Sequence, residues 1–93
     1  MPEQISLRQL PAGRIRRALF RGLQGKLLEI EMVSGEEAAG LDTGALVEVD
    51  GERTLYLGEV YSRDGMRLAV AVDHVLDRQA LVEIQDVWNR PGR

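Results

Sequence analysis

Two Asp-Gly pairs, Asp50-Gly51 and Asp64-Gly65, constrain this chain more than any other feature. Each interrupts an apolar alternation within residues 44–72. Asp-Gly supplies the positive φ that primed hairpin turns require. The stretch therefore reads as three antiparallel strands joined by two tight turns. In the first strand Ala45, Val47 and Val49 share one face, and Leu46, Glu48 and Asp50 the other. In the third, Met66, Leu68, Val70 and Val72 face inward, and Arg67, Ala69, Ala71 and Asp73 outward. The middle strand, Thr54 to Tyr61, breaks parity. Leu55 and Leu57 lie on one face, Val60 on the other, and Gly58 between them. A glycine there marks a bulge or a sharp coil, a device by which small barrels close. A chain of 93 residues holds one domain and one modest core. The fold read from the pattern is a small β-barrel or β-sandwich.

The rest of the chain is less regular. Residues 1–13 read as an extended leader broken by Pro2, Pro11 and Gly13. Ile15 to Phe20 fits a helix or a strand, and Gly22 and Gly25 mark a turn after it. Leu28, Ile30 and Met32 alternate with Glu29 and Glu31, which is a strand with one dry and one acidic face. Ser34-Gly35 closes that strand, and Glu36 to Asp42 reads as a loop or a short weak strand. Near the end, Leu76, Ala80, Ile84 and Val87 or Trp88 recur at helical spacing. With Asp77 as N-cap and Arg90-Pro91-Gly92 as terminator, a helix is expected near 77–89. Residues 14–93 then form a single barrel domain with a terminal helix.

Several function classes lack the residues they need. No cysteine is present, so disulfides and thiolate metal sites are excluded and a reducing cytoplasm is the natural compartment. No apolar run approaches the roughly 20 residues of a membrane span. The opening MPEQISLRQL lacks the basic and apolar regions of a secretory signal. His74 is the only histidine, and its neighbour Asp73 would point to the opposite face of a strand. Neither a nucleophile elbow, a phosphate loop, a dinucleotide fingerprint nor a metal-ligand spacing occurs. A non-enzymatic protein without a cofactor is expected.

Charge supplies the sharper signal. The chain carries a net charge of −3, unevenly spread. Arg8, Arg14, Arg16, Arg17, Arg21 and Lys26 face only Glu3 up to residue 26, and the acidic excess lies between Glu29 and Asp64. A basic arm ahead of an acidic body either folds onto that body or receives an anion. Arg17 and Arg21 stand four apart, with Arg14 and Arg16 upstream. Guanidinium forks match phosphate oxygens and stack on purines. Single-stranded nucleic acid is a weaker fit, because Phe20 is the arm's only aromatic residue.

Leu41-Asp42-Thr43-Gly44, Leu46 to Val49, Leu57-Gly58-Glu59-Val60, Met66 to Val72 and His74-Val75-Leu76 together resemble the later strands of a PilZ domain. The resemblance implies a six-stranded antiparallel barrel with a C-terminal helix, and a role in cyclic di-GMP signalling. PilZ domains hold that nucleotide with an Arg-x-x-x-Arg arm and an Asp/Asn-x-Ser-x-x-Gly turn. Arg17 to Arg21 matches the arm. The turn is not reproduced: with Ser34 as its serine, Met32 stands at the acidic position and Glu37 at the glycine. On this resemblance Arg17 and Arg21 would grip guanine and phosphate, Arg14 and Arg16 would add long-range attraction, and Ser34 would be the residual turn contact. Direct nucleotide binding stays open. Degenerate PilZ domains are expected to act as regulatory adaptors with a protein partner. The alternatives are an SH3-like protein-interaction barrel without a nucleotide and a nucleic-acid module using the basic arm.

Overall fold

The computed structural model describes residues 3–77. They form a closed six-stranded antiparallel β-barrel. The strands are β1 (Gln4–Gln9), β2 (Ile15–Gln24), β3 (Leu27–Met32), β4 (Leu46–Asp50), β5 (Thr54–Asp64) and β6 (Arg67–Asp77), with a one-turn helix α1 (Gly35–Ala38) between β3 and β4. Around the barrel the order is β1-β2-β3-β6-β5-β4, and β1 closes the ring on β4.

The leader is extended, but it does not stand ahead of the barrel. Its residues 4–9 are a full strand, paired on one side with β2 and on the other with β4. Ile5 and Leu7 point inward and are buried, which is the force that draws the segment in. The basic segment is correspondingly a wall strand, β2. Its ambiguous pattern resolves as strand because Ala18 must face the core opposite Met32.

Inward-facing residues from every strand build one apolar core: Leu7, Ala18, Leu28, Ile30, Met32, Val47, Val49, Val60 and Val70 are almost fully buried. Ala38 and Leu41, flanking the end of α1, complete it from one end. No polar or charged residue is buried among the described residues. Met66 departs from the expected alternation. It occupies the β5–β6 turn and is exposed, because Asp64 pairs with Arg67 and leaves Gly65 and Met66 as the loop.

The turns divide by mechanism. Gly65 (φ 63°) and Gly25 (φ 60°) each open a two-residue hairpin loop, with no positive φ at the residue that follows. That is the II′ pattern. Gly51 lies outside the left-handed region, contrary to the expectation for Asp50-Gly51. It is buried instead, and a Cβ there would stand 3.2 Å from both Glu3 Oε2 and Thr54 O. Close approach, not backbone handedness, selects glycine at that turn.

Bulges bend the wall. Arg21 in β2, Tyr61 in β5 and Asp73 in β6 have no opposed partner where the register shifts. Gly22 belongs to the first bulge and not to a turn. Gly58 sits at the third, opposite Val72, where a Cβ would overlap the Ala71 carbonyl oxygen. The helix expected near 77–89 falls outside the described residues, except for Asp77, which ends β6 as strand.

Candidate functional site

The five residues singled out from the sequence separate into two places. Arg14, Arg16, Arg17 and Ser34 gather at the barrel end where β2 begins and β3 stops. Arg21 lies beyond, on a different cavity.

The first place is organised by α1. A single helical turn is marginal alone, since nucleation costs more than one turn returns. Here three supports hold it. Ser34 caps its start, with Oγ accepting a hydrogen bond of 3.3 Å from the Glu37 N–H. Ala38 packs into the core. Arginines from β2 satisfy the carbonyls of the turn: Arg14 Nη2 donates to Glu36 O at 3.1 Å, and Arg16 Nη1 donates to Glu37 O at 3.0 Å and to Ala39 O. The chain then leaves through Gly40 at φ 80°.

Glu37 carries the electrostatics. Ser34-x-x-Glu37 is a capping-box pattern, in which the glutamate would return to its own N-cap N–H. Here the carboxylate crosses to β2 instead. Its Oε2 accepts a 2.8 Å hydrogen bond from the Arg17 backbone N–H, and both oxygens lie 3.5 Å from Arg14 Nη1. The side chain is 14% exposed. The Arg17 hydrogen bond, helped by the charges of Arg14 and Arg17, holds its carboxyl below the usual carboxylate range against the opposing effect of burial. Sequence reasoning placed Glu37 only as a misfit in a nucleotide-binding turn. The capping-box spacing was the signal that could have marked it as structural.

Arg17 itself is exposed. Among the described residues its guanidinium forms no ion pair within 4.0 Å. It lines a cavity of about 350 Å³ together with Gln4, Ile5, Ala18, Val33 and Ser34. Arg17 and Ser34 thus border the same cavity.

Arg21 is not with them. As the extra residue of the β2 bulge it turns to Glu31, with Nη2 3.0 Å from Oε1. Arg67 Nε reaches the same oxygen at 4.0 Å. Arg21 and Arg67 border a separate cavity of about 150 Å³ that is also lined by Glu29, Ser62 and Asp64. The Arg-x-x-x-Arg spacing would put both side chains on one face of a regular strand, but Arg21 is itself the unopposed residue of the bulge.

The chain matches no family model, no curated protein and no solved structure. Its chemistry is therefore read from geometry. Among the described residues no group of three His, Asp or Glu side chains is placed to hold a metal ion, and no helix is long and apolar enough to cross a membrane. His74 is exposed on β6, opposite Leu57.

Proposed function

We propose that this protein is a non-enzymatic regulatory adaptor of the PilZ type, working in a bacterial cytoplasm within cyclic di-GMP signalling. In this reading it acts through a protein partner and does not grip the nucleotide with its arginines. The observation that carries the reading is the commitment of those arginines within the chain. Arg14 and Arg16 bind the backbone of α1, and Arg21 pairs with Glu31. Among the described residues the Arg17 guanidinium makes no ion pair, Arg17 lines the cavity, and the Glu37 carboxylate is held at the Arg17 backbone N–H. A ligand with two phosphates would meet one available fork and a resident negative charge.

The outer surface supports an adaptor role. Leu46 and Tyr61 are 53% and 65% exposed, and they lie on adjacent strands, since Leu46 pairs with Glu59 two residues from Tyr61. These two exposed apolar side chains on neighbouring strands are the ones this reading assigns to contact with another protein.

Two measurements test the proposal. Titration with cyclic di-GMP at micromolar protein is expected to give no heat. Saturable heat that disappears in an Arg17→Ala, Arg21→Ala double variant would replace the adaptor with a nucleotide receptor. A photo-crosslinking residue at position 46 or 61 is expected to yield one discrete adduct in cells. The same residue at position 26, on the β2–β3 turn, should yield none. Equal labelling from all three positions counts against a docking wall.

A further inference from the structure

We infer that the outer wall of β4, β5 and β6 is the surface on which the protein partner lays an amphipathic helix with a basic margin. The inference rests on the adaptor reading above and names the partner's chemistry.

Register assembles the wall. Directly opposed residues of an antiparallel pair share a face. Val47 and Val49 are buried, so Leu46, Glu48 and Asp50 point outward. On β5, Tyr56 and Val60 pack inward, and alternation turns Leu55, Leu57 and Glu59 to the outside. Three rows result. Leu46 opposes Glu59, which opposes Ala71. Glu48 opposes Leu57, which opposes His74. Asp50 opposes Leu55, which opposes Leu76. Leu55, Leu57 and Leu76 therefore adjoin on one face, with Leu46 diagonal to Leu57. Leu46 is exposed and the other three are half-buried, and none of the four belongs to the core.

Geometry selects the form of the occupant. β5 pairs with β4 on one edge and with β6 on the other, so the centre of the wall offers no backbone edge for an added strand. Contact must run through side chains. From β4 to β6 is two strand spacings, about 10 Å, which is close to the diameter of a helix. A helix carrying large apolar residues at i, i+3, i+4 and i+7 covers that width.

Charge selects its margin. Glu48, Asp50 and Glu59 put three carboxylates on the wall. Arg8, opposite Glu48 on β1, is engaged there, with Nη2 3.3 Å from Oε2. Glu59 is exposed and forms no ion pair within 4.0 Å among the described residues. A helix with lysine or arginine beside its apolar stripe is attracted to this wall, and one with acids there is repelled.

The test titrates the full chain with two synthetic helical peptides of one leucine pattern, flanked by lysine in the first and by glutamate in the second. Anisotropy gives the affinities, and backbone amide signals give the place. The lysine peptide should bind at least about tenfold tighter, a preference that shrinks as salt rises. Signals of residues 46, 57, 59 and 76 should move, and those of residues 17 and 25 should not. Glu59→Lys should reduce the preference, and Leu46→Asp should weaken binding of both peptides. Both positions are exposed, so neither change should unfold the barrel. Equal affinity for the two peptides, or shifts centred away from the three rows, overturns the inference. The same signals moving with protein concentration alone would assign the wall to a second copy and overturn it too. So would a photo-crosslinker at position 57 that joins only residues 78–93 of its own chain. A discrete cellular adduct from position 46 or 61, together with equal peptide affinities, removes the basic helix and keeps the adaptor. Saturable cyclic di-GMP heat in wild type is the separate result that overturns the adaptor reading.

Discussion

The Arg17 backbone N–H donates a 2.8 Å hydrogen bond to Glu37 Oε2, joining β2 to α1 across twenty residues of chain. This bond and the Arg14 guanidinium keep Glu37 ionised below the ordinary carboxylate range. A depressed folded-state pKa gives stability that is fully present above the unfolded value and is lost as pH falls through the folded one. Wild type should therefore exceed Glu37→Gln in stability at neutral pH, and the gap should close on acidification. Urea midpoints of the two proteins at pH values from about 7 down to about 3 check this. A gap that does not change with pH would mean the charge contributes nothing.

Leu7 is 1% exposed and belongs to the strand that shuts the ring, paired at Arg16 and at Val49. Leu7→Ala should cost about 2–5 kcal/mol, the range for emptying a packed leucine site. Ile15, at 70% exposed, should tolerate alanine within about 0.5 kcal/mol. Denaturant titration of the pair distinguishes a barrel strand from a detachable leader.

Gly58 faces the Ala71 carbonyl so closely that a methyl group has no space. Gly58→Ala must push β5 away from β6 and should lose about 1–3 kcal/mol, the usual cost of overpacking. Chemical denaturation gives the loss, and slowed exchange protection at Val72 and Ala71 would be the wrong sign for it. An unchanged midpoint would mean the strands part without cost.

Gly65 and Gly25 adopt positive φ, whereas Gly22 does not and has open space around its Cα. Alanine at either hairpin position should destabilise by about 1 kcal/mol or more. Alanine at Gly22 should fall within about 0.5 kcal/mol of wild type. Thermal unfolding of the three variants provides the comparison.

Arg21 and Glu31 form an ion pair whose side chains are 37% and 28% exposed. Solvent screens it, so Arg21→Ala should cost only about 0.2–1 kcal/mol and less at high salt. A double-mutant cycle with Glu31→Gln isolates the pair. Arg67 shares the same carboxylate oxygen, so the cycle is run with Arg67 unchanged.

The meander over residues 44–72 was legible because its information is local. Period-two alternation names the buried face, and Gly65 announces its turn. The parity break at Gly58 likewise foretold a bend. Met66 was misassigned because a two-residue loop consumes one position of the alternation, a choice the pattern does not contain. The candidate site was legible only in part. Arg17 and Ser34 were named and do share a cavity, but the Arg21 bulge removes that side chain from them.

Read alone, the residues specify β3 and the alternation of the 44–72 meander, the positive-φ turn at Gly65, and a small apolar core; they leave β1 as a leader and β2 ambiguous, and they misjudge the Gly51 turn. Long-range folding alone sets the closure of the ring by β1, the formation of α1, and the acid each arginine meets. The physical reason is range. Side-chain alternation and glycine handedness act between neighbours, whereas the pairing of β1 with β4 and of Arg17 with Glu37 depends on groups that only the folded barrel brings within hydrogen-bond distance.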